Sequence, residues 1–190
     1  MKILLYTICI LITTIIVLKI IELKNIAYKK PEFLSDKKIL TVYYSNGGNT
    51  KNIAHNINTI VGGDIKEIQL VENYPNNIFK MSKFVRKQIK YGDLPQIKDI
   101  DIRDYDIIFI GSPIWNLSMS LPTKAFLKNN KFENMILIPF FTYSGGAKKN
   151  KIVNEIENLA TAKEVKNPLF MFENGIILQK EQIIKWLNNM

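Results

Sequence analysis

The chain has 190 residues, 47% hydrophobic and 23% charged, and 26 Lys and Arg against 17 Asp and Glu give it a net charge of +9. This balance fits one compact domain with an added segment. Cys9 is the single cysteine, which excludes disulfides, thiolate metal clusters and redox cysteine pairs.

The added segment comes first. No residue from Ile3 to Leu18 is charged, and Ile20 and Ile21 carry the apolar run past Lys19. A run of that length is enough for a bilayer core of about 30 Å, so residues 1–23 are expected to form a transmembrane anchor. Lysines follow the run (Lys24, Lys29, Lys30, Lys37, Lys38) while only Lys2 precedes it, so the rest of the chain is expected on the cytoplasmic side of the cell membrane. A cleaved signal would need a small-residue site where Lys-Ile-Ile-Glu-Leu-Lys stands, and a lipoprotein signal would need a cysteine after the run rather than within it. An exported protein remains the alternative. Residues 24–37 read as a basic tether and 38–190 as the folded domain. Residues 1–38 hold seven lysines against Glu22, Glu32 and Asp36, a charge of +4 that suits anionic headgroups. The cations after residue 38 read as a scattered, solvated face, and no nucleic-acid partner is expected.

From Lys38 onward strand and helix patterns alternate. Ile39–Tyr44 reads as a buried strand and Thr50–Val61 as a helix ended by Gly62-Gly63. Ile65–Leu70 alternates as a second strand, and Pro75 to Tyr91 is a long amphipathic helix. Asp106–Gly111 is a continuous apolar strand, expected to be central, and Leu121–Asn129 is a short helix with Pro122 in its first turn. Asn134–Phe141 is a fourth strand, Lys148–Leu159 and Gln179–Asn189 are helices, and a fifth strand lies within Val165–Phe172. The expectation is an α/β three-layer sandwich around a five-stranded parallel sheet.

Ligands of such sheets sit at the carboxyl ends of the strands. With order 2-1-3-4-5, three loops share that rim. The first, Ser45-Asn46-Gly47-Gly48-Asn49-Thr50, joins a strand to a helix N-terminus, where unpaired N–H groups and the helix dipole favour an anion. The second is Gly111-Ser112-Pro113-Ile114-Trp115-Asn116, and the third is Thr142-Tyr143-Ser144-Gly145-Gly146. Trp115 and Tyr143 are placed to hold a flat conjugated ring. The first loop lacks the Gly-Lys-Ser/Thr of a triphosphate loop and the third glycine of a dinucleotide fingerprint. His55 reads as solvent-facing, and Asp104 and Asp106, at the opposite edge, read as structural. No catalytic side chain and no metal site is expected.

The chain resembles the flavodoxin family over about residues 38–190. The family's strand-end pattern Tyr-Phe-Ser-x-Thr-Gly-Asn-Thr appears as Tyr43-Tyr44-Ser45-Asn46-Gly47-Gly48-Asn49-Thr50, its Gly-x-Pro-Ile-Trp as Gly111–Trp115, and its Thr-x-Gly-Gly-type loop as Thr142–Gly146. The resemblance implies the flavodoxin-like strand order 2-1-3-4-5 and non-covalent FMN. Ser45, Asn49 and Thr50 would hold its 5′-phosphate, Trp115 and Tyr143 would flank the isoalloxazine, and Gly145 and Gly146 would bring N–H groups to its pyrimidine edge. A peptide near Trp115-Asn116 would turn its carbonyl toward the flavin. Gly47 stands where the family usually has threonine, removing one phosphate hydroxyl, with Asn46 or Lys51 as the compensating candidates. The implied function is electron transfer to or from a redox partner protein or a small-molecule acceptor. The alternatives are an NAD(P)H-dependent quinone, nitro or azo reductase on the same fold, and a non-redox module with a degenerate pocket.

Overall fold

The computed structural model describes residues 2–24, 28–75, 77–173 and 179–190. In chain order the elements are α1 (Lys2–Lys24), a 3-10 turn (Glu32–Leu34), β1 (Ile39–Tyr43), α2 (Asn49–Val61), β2 (Asp64–Glu67) and α3 (Ile78–Tyr91). There follow β3 (Ile107–Trp115), β4 (Ser118–Met119), α4 (Leu121–Asn129), β5 (Ile136–Tyr143), α5 (Lys149–Leu159), β6 (Glu164–Val165), β7 (Leu169–Phe172) and α6 (Gln179–Asn188).

The strand order is β2-β1-β3-β5-β6, all parallel, with β7 also paired to β5 and β4 folded antiparallel onto β3. This is the expected parallel α/β sandwich with three changes. The last strand is split into β6 and β7, both beside β5, and a hairpin is added after β3. The second strand is shorter than expected: β2 ends at Glu67, and Leu70 makes only an isolated bridge to Ile97.

Alternation along the strands sends side chains to two cores. Leu40, Val42, Ile108, Ile110 and Leu137 pack with Val85 of α3, Phe126 of α4 and Ile152 and Ile156 of α5. On the other face Ile39, Tyr43, Ile107, Phe109 and Phe140 pack with Ile53, Ile57 and Val61 of α2 and with Ile183 and Leu187 of α6. Ile107–Ile110 are buried on both faces, which is why a continuous apolar run rather than an alternating one marks this strand.

Among the described residues no helix is long and apolar enough to cross a membrane, which corrects the expected transmembrane anchor. The described apolar side chains of α1, from Tyr6 to Leu18 and at Ile21, are exposed. Met1 and residues 25–27 of the expected anchor and tether lie outside the described residues. The rest of the tether is docked. Leu34 is fully buried, Tyr28 and Phe33 pack against the α2–α6 core, and the Lys29 N–H donates to Asn188 Oδ1 at 3.0 Å.

Candidate functional site

β1 ends at the buried Tyr43, the buried Tyr44 follows it, and the backbone then turns sharply into α2. Gly48, the residue before the helix, has φ +88°, a left-handed conformation that a side chain would strain. No side chain caps α2. The nearby hydroxyl, Ser45 Oγ, accepts from the Gly48 N–H at 3.0 Å, which tightens the turn. The next N–H groups, at Asn49, Thr50 and Lys51, have no partner within the helix by its geometry, and they carry the positive end of its dipole.

Of the expected phosphate-binding residues, Ser45 is half-buried and Asn46, Gly47 and Asn49 are exposed, whereas Thr50 is buried. Thr50 Oγ1 lies 2.7 Å from Thr142 Oγ1 at the end of β5, so its hydroxyl ties the first segment to the third from beneath. Lys51, a candidate to replace the hydroxyl missing at Gly47, stands 3.8 Å from Glu67 of β2.

The second segment is not a loop. Gly111–Trp115 continues β3, paired through Gly111↔Phe140 and Pro113↔Thr142. Pro113 is tolerated because β1 has already ended: its last pairing with β3 is Tyr43↔Gly111, so no N–H is required two residues further on. A Cβ on Gly111 would lie 2.3 Å from the Phe140 ring, so only glycine lets these two strands close here. Asn116 (φ +49°) and Leu117 (φ +62°) form the two-residue turn into β4, with both residues left-handed as the hairpin twist demands. Leu117 is an unusual residue for that conformation. The hairpin base is held by Glu155 of α5, which accepts from Ser118 Oγ at 2.7 Å and from the Met119 N–H at 3.3 Å and pairs with Lys124 at 3.2 Å. Leu117 also reaches the third segment, since a methyl on Gly146 would sit 3.6 Å from its Cδ2. All three segments therefore meet at one edge.

The two aromatics are each braced by other rings. Trp115 meets Tyr44 edge-on at 5.6 Å and Tyr74 at 5.8 Å, and Tyr143 meets Phe172 at 5.4 Å. Ser144, Gly145 and Gly146 are exposed, and a Cβ at Gly145 would touch nothing. Beside Ser45 and Asn46 opens a cleft of about 420 Å³ lined by Tyr44, Glu67, Gln69, Asn73, Tyr74 and Lys98. Sequence reasoning missed this wall. The signal was available, because the segment after β2 also leaves the carboxyl edge and carries Tyr74. A second cavity of about 410 Å³, around Asp101, Arg103 and Lys131, contains no residue of the three segments.

Burial, and then the Glu67 carboxylate, pushes the Tyr44 phenol up to about 12. Tyr43 is raised to about 12 by burial and by Glu67, to which its hydroxyl donates at 3.3 Å. Burial also raises Tyr74. All three stay uncharged at neutral pH, and Glu67 lines the cleft beside Ser45 and Asn46. His55 is exposed, its ring 6.1 Å from Tyr43. Asp106 accepts the Lys38 N–H at 2.9 Å, anchoring the start of β1.

An uncapped helix N-terminus, braced aromatic rings and exposed glycines on one rim of a parallel sheet define a class: proteins that hold a phosphorylated planar cofactor at the strand ends. Comparison with known proteins narrows it. A family model described as flavodoxin matches residues 38–190. A flavoprotein from Lactobacillus acidophilus NCFM, crystallised in complex with FMN, is 31% identical, covering 68% of this chain and 91% of its own, with TM-score 0.56. A Bacteroides eggerthii DSM 20697 protein assigned as a flavoprotein is 25% identical, covering 81% of this chain and 98% of its own, with TM-score 0.63. Oxidised flavodoxin 1 from Bacillus cereus, 12% identical over 80% of this chain and 95% of its own with TM-score 0.50, shares the fold. No protein of curated function matches. The chain belongs to the flavodoxin family.

Proposed function

We propose that the chain is an FMN-dependent electron-transfer protein attached to the cytoplasmic face of the cell membrane. The observation that carries the cofactor reading is the start of α2: open N–H groups behind a glycine turn, tied by Thr50 to the strand that presents Tyr143–Gly146. Family membership and the FMN complex of the L. acidophilus relative support the same reading. The residues fit the group. Ser45, Asn46, Asn49, Thr50 and the loop amides would hold the phosphate, Trp115 and Tyr143 would flank the ring, and the Gly145 and Gly146 amides would meet its polar edge. The left-handed Asn116 is already in the conformation that lets its neighbouring peptide present either a carbonyl or an N–H. Bound FMN supplies the redox chemistry, and the protein supplies position and electrostatics.

Titrating FMN into the full chain in an uncharged detergent tests this, with flavin fluorescence quenching at one equivalent expected. Unquenched flavin over well-folded protein would refute it. Rapid reduction of the bound flavin by NADPH alone would instead assign a reductase. Membrane attachment draws support from α1, where Tyr6, Ile10 and Leu11 are 70%, 64% and 62% exposed, a continuous apolar surface that water does not favour. Recovery of the full chain in the soluble fraction of lysed cells would overturn that part.

A further inference from the structure

The outward face of α3 is used by nothing described so far. Its sequence contains Lys80, Lys83, Arg86, Lys87 and Lys90 and no acidic residue. Among the described residues none of these five cations has an ion-pair partner, and Lys90 lies over the Tyr91 ring at 5.6 Å. Helical spacing sends Met81, Val85 and Gln88 inward. Val85 is buried, Met81 packs on the core, and Tyr74 Oη donates to Gln88 Oε1 at 3.0 Å. The same spacing places Phe79, Lys83, Arg86 and Lys90 on the opposite side, with Phe79 82% exposed. Cations that look scattered along the sequence are thus gathered by the helix into one stripe headed by an aromatic ring.

This face is continuous with the cofactor edge. Phe84, on the flank of α3, meets Tyr74 at 5.9 Å; Tyr74 meets Trp115 at 5.8 Å; and Trp115 meets Tyr44, the residue before Ser45, at 5.6 Å. The apolar α1 lies elsewhere, against α6, whose buried residues belong to the core on the other side of the sheet. A membrane reached through α1 therefore leaves α3 free.

We propose that α3 is the docking face for an acidic one-electron carrier protein that exchanges electrons with the flavin. The charge selects an acidic partner, the ring path from Phe84 through Tyr74 to Trp115 selects a redox partner, and the position of α1 disfavours lipid. The proposal rests on the FMN reading. Each encounter moves one electron, so two reduced carriers, each oxidised once, and one solvent proton convert FMN to its anionic hydroquinone.

The test uses the full chain in uncharged detergent, with a reduced acidic [2Fe–2S] ferredoxin as probe and a triple variant Lys80→Glu, Lys83→Glu, Arg86→Glu. All three sites are exposed, and circular dichroism with FMN stoichiometry checks the fold. Steering by complementary charge raises association by about 10- to 1,000-fold, so the variant should lose at least tenfold in flavin reduction by ferredoxin. Its photochemical reduction should be unchanged, and added salt should slow the wild type. Ferredoxin binding to the apo-protein, read by fluorescence anisotropy, should fall in parallel. This arm decides docking even if FMN binding itself fails. An unchanged ferredoxin rate and affinity in the variant overturns the proposal. So does a variant that loses only its binding to phosphatidylglycerol vesicles, which would assign the face to a membrane.

Discussion

α3 starts from Asn77, whose side-chain Oδ1 accepts the N–H groups of Phe79 and Lys80 at 3.0 and 3.1 Å. α2 starts from Gly48, which has no side chain to offer, and the nearby Ser45 hydroxyl accepts the Gly48 N–H while keeping its own proton to donate. Both helices follow a parallel strand and begin near the carboxyl edge of the sheet. One satisfies its own first amides; the other leaves them for a ligand. α4 and α5 also lack a side-chain cap, so the missing bond at α2 is informative only together with the left-handed Gly48 and the polar loop beside it.

The strongest perturbation of this comparison acts on both junctions through their buried tyrosines. The Tyr44 phenol is raised to about 12 in the folded protein against about 10 in the unfolded chain. The folded state keeps the proton longer, so the contribution is fully present below pH 10 and is lost as pH rises through about 12. On the order of 2–3 kcal/mol of stability should disappear across that window. Denaturant midpoints at pH 9 and pH 12 would show it, and Tyr44→Phe should make the drop shallower, with Tyr43, also raised to about 12, supplying part of what remains. An equally steep drop in the variant would locate the titration elsewhere.

Next in size is Gly47→Thr. Nothing lies within 4 Å of a Cβ at this position, and its backbone is not left-handed. The variant should therefore fold normally and add a hydroxyl to the phosphate. A hydrogen bond to a charged group contributes about 1.5–3 kcal/mol, so FMN should bind at least tenfold more tightly by fluorescence titration. No gain would mean that the phosphate lies away from this turn. Gly48→Ala, at φ +88°, should cost about 1–2 kcal/mol in strain and should weaken FMN as well, because relaxing the turn moves the open amides. The mildest change, Asn77→Ala, should lower stability by about 1 kcal/mol and leave the FMN affinity unchanged. If it weakened FMN as much as Gly48→Ala does, the contrast between the two helix starts would fail.

Much of this architecture could be read from the residues. The apolar run at Ile107–Ile110 announces a strand covered on both faces, and Ser45–Thr50 announces an anion turn because strand, glycines and helix are contiguous in sequence. Other features depend on distant partners. Pro113 argues against a strand until it is known that β1 stops short of it. The bond from Thr50 Oγ1 to Thr142, ninety-two residues away, has no local signal. The brace of Tyr74 on Trp115 and the grip of Glu155 on the β3–β4 hairpin join segments with no shared local pattern. The α3 cations look scattered along the sequence because linear spacing hides a stripe that becomes visible on a helical surface. The apolar start of the chain argued for a membrane crossing that no described helix is long and apolar enough to make.

The hydrogen bond from the Lys29 amide to Asn188 Oδ1, with Leu34 buried close by in sequence, has a mechanical consequence. A pull on the amino-terminal helix reaches the last turn of α6 before it reaches β1. Load is diverted into the rear of the molecule, and the rim can stay still while the leash is under tension.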